Sequence, residues 1–492
     1  MLVPRLSIQI PTVDAGHFIG GEFVESTSTE RYTSISPATG EQVGTFALGT
    51  AQDVDRAVAA ATAARDGWAA LSIFERIEHI ERVLAVVAQR REELANLLAI
   101  EQGKPLFEAI SEVDGSIENF RITNEFAKTM EIGSLLPVAD SNRRAMTIRV
   151  PRGVVATIQP WNFPLGTLSG QASPALVMGN TVLALPAPST TLIEYEYARC
   201  FADAGFPAGV FNLLTGMGAV VGDAMVSHPG VQAVAFTGSV ATGQRVAARA
   251  AGKAQLIELG GNGPFVVLED ADLDLAVKDA VSSAFGAAGQ SCIAAGRFLV
   301  HDAIYDEFAA RLAAAAKSVV LGTPFDSATT MGPLNNTLLA DKVDRHVQGA
   351  VEAGATVVLG GGRADGFPTD LYYQATVITG VTEQMPIAVE ETFGPIAPIQ
   401  RITSDAEALQ IMRDSHYGLG SAVYTRDIAR GLRFAEQAPT RMIHVNARPG
   451  DVEGHLPVGG HTGKLSGIGK IQGRAPMEDV FSELKLITYN AS

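Results

Sequence analysis

Cysteine is scarce in this chain, which has two among 492 residues, Cys200 and Cys292. Two are too few for a disulfide framework, and no Cys-x-x-Cys or Cys/His spacing suggests zinc, so no metal is expected. Positive charge is short as well: 37 Lys and Arg face 53 Asp and Glu, for a formal charge of −16. Nucleic-acid binding draws on clustered Lys and Arg to release counterions, and no basic stripe offsets the deficit, so no nucleic-acid partner is expected. Long apolar runs are also missing. None approaches the ~18 residues that a membrane span needs. The stretch Met1 to Phe18 carries one arginine, is broken by Pro4 and Pro11, and lacks the blocks of a signal peptide. No membrane partner is expected, and the sparse cysteine fits a cytoplasmic location.

What is present is ordinary globular material, 47% apolar and 18% charged, long enough for about three modules. The apolar spacing predicts amphipathic helices over Thr50–Trp68 and Phe74–Ile100, with Thr50 and Asp53 able to cap the first. From Gly153 to Val300 short β-branched runs alternate with helical stretches. The expected strands are Val154–Ile158, Thr181–Leu185, Val210–Leu214, Val231–Phe236, Leu256–Leu259 and Phe265–Leu268. A second alternating stretch follows, with a helix over Ala303–Val319 and strand signals near Thr356–Leu359, Ala397–Ile399 and Ser421–Tyr424. Such alternation predicts an α/β protein with parallel sheets covered by helices.

Cys292 lies in Gly289-Gln290-Ser291-Cys292, between the helical pattern Val277–Ala287 and the strand-like Arg297–Val300. A thiol on such a loop is a candidate nucleophile once a base or dipole ionises it. Glu258-Leu259-Gly260-Gly261 supplies a carboxylate at a strand's end. Pro160-Trp161-Asn162-Phe163-Pro164 follows another strand, and its prolines hold the Asn162 amide where it can donate to an oxyanion. Phe236-Thr237-Gly238-Ser239 ends a strand and opens a helix whose first amides suit a pyrophosphate. Alone, each has a plainer reading as a rigid turn, a helix cap or a structural thiol. The run Gly216-x-Gly218-x-x-x-Gly222 has one residue too many for a dinucleotide fingerprint and reads as a helix start.

Taken in order, these motifs, then Arg297 and Glu390-Glu391-Thr392-Phe393-Gly394-Pro395, resemble the aldehyde dehydrogenase superfamily over about Phe18 to Tyr489. The flanks of Glu258 and Cys292 lean toward its semialdehyde-oxidising branch. The resemblance implies two Rossmann-like parallel-sheet domains plus a small β oligomerisation arm. It divides the chain into a cofactor-binding domain (1–131 and 152–260), a catalytic domain (261–455), and an arm with the C-terminal segment (132–151 and 456–492). Cys292 is then the nucleophile, Asn162 an oxyanion donor with the Cys292 amide, and Glu258 the general base. The implied product is a carboxylate, and the cofactor NAD or NADP. Pro160, Trp161, Gly238, Ser239, Leu259, Glu391 and Phe393 match its cofactor contacts. Arg121, Phe163, Arg448 and His455, with Asp451, are substrate candidates. A homodimer or homotetramer is expected. Two alternatives are an acylating enzyme that releases acyl-CoA or acyl phosphate, and an inert scaffold of the same fold.

The chain departs from the family at three places. Leu185 and Pro188 stand where Lys and Glu usually manage the adenosine ribose; losing the cation should cost NADP more, so NAD is the expected preference. Five residues, His461 to Leu465, separate Gly459-Gly460 from Ser466 where relatives have three. Ile122 and Thr123 replace aromatics, which implies a more polar substrate tunnel.

Overall fold

The computed structural model describes residues 13–490, so Pro4 and Pro11 lie outside the described residues. Helix α1 (Ala51–Ala70) opens on the expected capping box: Thr50 Oγ1 accepts from the Asp53 amide at 3.4 Å, and Asp53 Oδ2 from the Thr50 amide at 3.0 Å. Burial pushes the Asp53 carboxyl up, but hydrogen bonds from Ser26 and the Thr27 and Thr50 amides outweigh it and hold it well below the usual range.

The single helix expected over Phe74–Ile100 is two, α2 (Ile73–Gln89) and α3 (Arg91–Gln102). The break falls at Arg90, whose guanidinium bonds to Glu93, to the Glu196 carboxylate and to the Glu196 carbonyl. Ile80, Leu84, Val87, Leu94 and Leu97 are buried on both sides of it, so the apolar period runs through the break without marking it. Gly103 ends α3 in the left-handed region at φ 98°, wedged between Pro37 and Pro333, where a Cβ would come within 2.8 Å of Pro37 Cγ. After Pro105 comes α4 (Leu106–Thr129).

An eight-stranded sheet has five parallel strands at its centre, ordered Ala254–Glu258, Ala233–Thr237, Val154–Ile158, Thr181–Leu185 and Phe211–Leu213. Two of these have the expected bounds, and the others shift by one or two residues. Val154–Ile158 and Thr181–Leu185 are buried along their whole length, which accounts for their unbroken apolar runs. Helix α5 (Pro164–Val177) crosses this sheet, and Trp68 of α1 donates Nε1–H to Leu176 O at 2.9 Å.

The second sheet has seven strands, ordered Thr356–Leu359, Thr376–Val381, Ile396–Ile402, Ala295–His301, Gly263–Val267, Gly420–Tyr424 and Met442–Val445, parallel except at the first pair. The helix expected over Ala303–Val319 spans Tyr305–Ala316. Gly133–Leu136, Arg143–Pro151 and Ser482–Asn490 form a separate antiparallel sheet that exposes Leu135, Leu136, Leu484, Leu486 and Tyr489. Gly467–Ile468 instead joins the edge of the first sheet beside Ile257 and Glu258. Among the described residues, no helix is long and apolar enough to cross a membrane.

Glu101 of α3 is buried and its carboxylate accepts from the Leu192 and Ile193 amides, both at 2.9 Å, capping the helix Thr191–Asp203. Burial pushes this carboxyl up to about 8. The folded state therefore binds its proton more tightly than the unfolded chain, so this group's contribution to stability falls as pH rises from the ordinary carboxylate range to about 8. Urea unfolding of Glu101→Gln and the parent at pH 5 and pH 8 should show the difference shifting in favour of Glu101→Gln at the higher pH. A difference independent of pH contradicts this reading.

Candidate active site

The carboxyl ends of the first sheet's strands face the amino ends of the second sheet's strands, and the site lies between them. From the first sheet, the loop after Val154–Ile158 presents Asn162, and Pro164 starts α5. Asn162 is buried, and its Nδ2 donates to the Gln290 carbonyl at 2.9 Å, two residues before Cys292. An amide nitrogen carries two N–H groups, and this bond uses one.

Cys292 follows helix Leu273–Phe285 through a turn in which Ala287, Ala288 and Gly289 have φ of 50°, 55° and 70°. Two left-handed alanines cost roughly 1–2 kcal/mol each. The turn persists because it is tied down: Glu108 Oε1 accepts from the Ala287 amide at 2.9 Å, Gln290 Nε2 donates to Ala287 O at 3.0 Å, and Gln290 Oε1 accepts from the Asn335 amide at 2.8 Å. Gly289 has no alternative, since a Cβ there would lie 2.1 Å from Gly394 O.

Glu258 ends its strand buried, and its Oε1 has no partner. Burial pushes the carboxyl well above its ordinary range, and the charge of Arg441 pulls it partly back. The following Gly260-Gly261 passes between Cys292 and Glu391. A Cβ on Gly261 would meet Cys292 O at 2.2 Å, and one on Gly260 would meet Glu391 Oε2 at 2.4 Å. Glu391 Oε1 accepts from the Gly261 amide at 2.9 Å. Burial pushes Glu391 up to about 7 against that bond and the charge of Lys342. Phe393, at φ 62°, meets Trp161 edge to face with ring centres 5.5 Å apart.

Cys292 is partly exposed by area, but protein atoms crowd its sulfur. Burial, then the charges of Glu391 and Glu258, push the thiol up to about 12. These causes all favour the protonated thiol, the opposite of what a neighbouring cation would do.

Ser239 caps helix Val240–Arg249, and Leu259 packs onto that helix so closely that a Cβ on Gly243 would lie 2.1 Å from Leu259 Cδ2. Beside it the turn Gly218–Gly222, read from sequence as a helix start, leads into Asp223–Ser227, with Met217 and Val220 exposed. Free amides at the helix start, these apolar side chains and buried Glu391 fit a dinucleotide. Leu185 is buried against Gly222, and Pro188 opens the short turn Pro188–Thr190, so neither offers a polar group to a ribose.

The remaining sequence candidates are more scattered. Arg121 and His455 line a cavity of about 600 Å³ with Glu81, Glu118 and Glu125, and Arg121 Nε lies 3.8 Å from Glu81. Arg448 bonds to Asp451 and to Ser282 Oγ. The Phe163 ring lies 4.4 Å from Lys104 Nζ. The inserted residues do not hang free: Lys464 Nζ caps the carbonyls of Met412, Arg413 and Ser415. Sequence reasoning missed Lys104 and Glu112, which are buried, and Glu108 and Lys342, which are half-buried. Among the described residues no group of His, Cys, Asp and Glu could hold a metal ion.

This fold, with its two facing parallel sheets, is that of an oxidoreductase of aldehydes. Residues 23–487 match the model of the aldehyde dehydrogenase family, and the chain belongs to that family. It is 38% identical to 3-sulfolactaldehyde dehydrogenase of Pseudomonas putida over 96% of both proteins. It is 34% identical to an NADP-dependent succinate-semialdehyde dehydrogenase of Escherichia coli over 95% of this chain and 96% of that protein. Betaine aldehyde dehydrogenase of Staphylococcus aureus in complex with NAD+ superimposes with a TM-score of 0.93 at 32% identity, covering 97% of this chain and 94% of that one. The chain is thus an NAD- or NADP-dependent enzyme that oxidises an aldehyde to a carboxylate.

In the ligand-free protein, alkylation of Cys292 by iodoacetamide, followed by peptide mass, should accelerate ~10-fold per pH unit from 7 to 9, because only the thiolate reacts. A rate already level by pH 8 would mean that the thiol ionises near neutrality.

Proposed function

We propose that Cys292 is the nucleophile, Asn162 with the Cys292 amide the oxyanion site, and Glu258 the base. The observation that carries this reading is the Asn162 Nδ2 bond to Gln290 O at 2.9 Å, which sets an amide donor beside the nucleophile's loop. The Cys292 thiol gives its proton to the Glu258 carboxylate, from which it passes to solvent; the sulfur adds to the aldehyde carbon, and the oxyanion of the thiohemiacetal accepts from Asn162. One such donor is worth ~3 kcal/mol in comparable sites. Bound NAD or NADP supplies the hydride acceptor, and Pro160, Trp161, Gly238, Ser239, Leu259, Glu391 and Phe393 hold it. Collapse leaves a thioester on Cys292. Glu258, with a free oxygen and its ionised form favoured by the charge of Arg441, draws a proton from water, which attacks the acyl carbon and frees the carboxylate and the sulfur; such help is worth ~10²–10⁴-fold.

The substrate of this reading is an aldehyde with a polar tail. Asn119 donates to Ser169 Oγ at 3.0 Å, and Ser173 to Thr123 Oγ1 at 3.0 Å, so facing sides of α4 and α5 are polar. The loop above begins over Asn119 and Ile122 at Gly454 and reaches Glu258 at Gly459, where a Cβ would lie 3.1 Å from Oε1. In this reading the aldehyde approaches Glu258 beneath this loop, past the polar residues of α4 and α5. The relatives' named substrates, 3-sulfolactaldehyde, succinate semialdehyde and betaine aldehyde, all carry charged tails. Here Arg121 is shared with Glu81, and Arg448 with Asp451, so a carboxylated tail must compete with protein carboxylates.

NAD is the preferred cofactor in this proposal, because buried Leu185 leaves a 2′-phosphate without that position's cation. Residues 1–131 and 152–260 form the cofactor part, 261–455 the catalytic part, and 132–151 with 456–492 the arm and C-terminal segment. The exposed Leu135, Leu484 and Leu486 of the arm suit a homodimer or homotetramer in the cytoplasm.

Initial rates on neutral, hydroxylated, carboxylated and cationic aldehydes, with each cofactor and with coenzyme A or phosphate added, test the reading. Polar aldehydes should lead, NAD should exceed NADP, the product should be the free acid, and Cys292→Ala should be inert. A clear NADP preference overturns the cofactor assignment, and an acyl-CoA or acyl-phosphate product overturns the role of Glu258.

A further inference from the structure

Three ionisable side chains outside the reacting set, two buried and one half-buried, come together where α3 meets α4. Lys104 is 3% exposed and Glu112 7%. Lys104 Nζ donates to Glu112 Oε2 at 2.5 Å and to the Asn162 main-chain carbonyl at 2.8 Å. Glu112 Oε1 accepts from the Leu165 and Gly166 amides, at 2.9 and 3.2 Å, in the first turn of α5. One helical turn earlier, Glu108 Oε1 accepts from the Ala287 amide at 2.9 Å, in the strained turn before Cys292. A second route reaches the same turn. The Lys104 amide donates to Gln102 Oε1 at 2.8 Å, Asn335 Nδ2 donates to the Gln102 carbonyl at 3.2 Å, and the Asn335 amide donates to Gln290 Oε1 at 2.8 Å.

One short joint, residues 102–112, thus grips both loops that make the oxyanion site. Taking an ammonium and a carboxylate out of water is a poor way to gain stability, and here both are bonded to the main chain of the Asn162 loop and α5. The Asn162 amide and the Cys292 loop come from different sheets, and misplacing a reacting group by ~1 Å can cost ~10²-fold in rate.

We infer that Lys104, together with Glu112 and Glu108, is a positioning residue of the oxyanion site. It pins the Asn162 main chain while Glu108 pins the Cys292 turn, so that the two donors converge on one point. The inference rests on the assignment of Asn162 as an oxyanion donor.

A double-mutant cycle tests it, with kcat, aldehyde KM and cofactor Kd measured for the parent, Lys104→Met, Asn162→Ala and the double variant. Lys104→Met should lower kcat ~10²-fold, leaving KM and Kd within a few-fold, and Lys104→Arg should restore part of the loss. In the Asn162→Ala background the same change should cost no more than ~3-fold, because residues acting through one group do not add. Equal losses in both backgrounds, or no loss in the parent, overturn the inference alone. An Asn162→Ala enzyme with parental kcat overturns the oxyanion assignment and this inference with it. If Lys104→Met does not accumulate as folded protein, Glu112→Gln, which keeps an acceptor for the Leu165 and Gly166 amides, goes through the same cycle and decides.

Discussion

A single hydrogen bond between two sheets, Asn162 Nδ2 to Gln290 O at 2.9 Å, ties together the two loops of the candidate site. Asn162 belongs to a loop of the first sheet, whereas Gln290 lies two residues before Cys292 on a loop leading into the second, and neither loop alone makes that site. Their partners show how much of the structure serves that contact. Pro160 and Pro164 stiffen one loop, and left-handed Ala287 and Ala288 shape the other. Gly289 and Gly261 let neighbouring backbone pass where a Cβ would collide. Strain of this kind survives only where surrounding bonds over-determine it, and Glu108, Gln290 and Asn335 provide those bonds.

The electrostatics of the site are those of carboxyls on which burial outweighs the nearby cations Arg441 and Lys342. Glu258 and Glu391 are both pushed up by burial, and their charges in turn push up the Cys292 thiol. A raised thiol beside raised carboxyls is a site whose ionised forms are disfavoured by burial, and Arg441 is the charge that works against this at Glu258.

The strands were legible in the sequence because they are buried on both faces and read as unbroken apolar runs, as in Val154–Ile158 and Thr181–Leu185. Cys292, Glu258 and Asn162 were legible as candidates because each sits in a short motif with Gly or Pro, and the fold brings these motifs to one place. The break at Arg90 was not, since the apolar period continues through it while ion pairs to Glu93 and Glu196 decide the backbone. Lys104, Glu108 and Glu112 were invisible for a related reason. Their meaning lies in contacts with residues some 50 to 180 positions away, such as Lys104 with Asn162 and Glu108 with Ala287, and no spacing rule encodes those. The cofactor departure was visible as Leu185 and Pro188, but only the fold shows Leu185 turned into the core.

Covalent acylation of one sulfur followed by its release by water is the central claim, and trapping the acyl-enzyme tests it most directly. Glu258→Gln mixed with aldehyde and NAD, quenched in acid within one turnover and measured by peptide mass, should carry the acyl group on the Cys292 peptide in step with a burst of reduced cofactor. A burst with no mass added to that peptide would contradict the account.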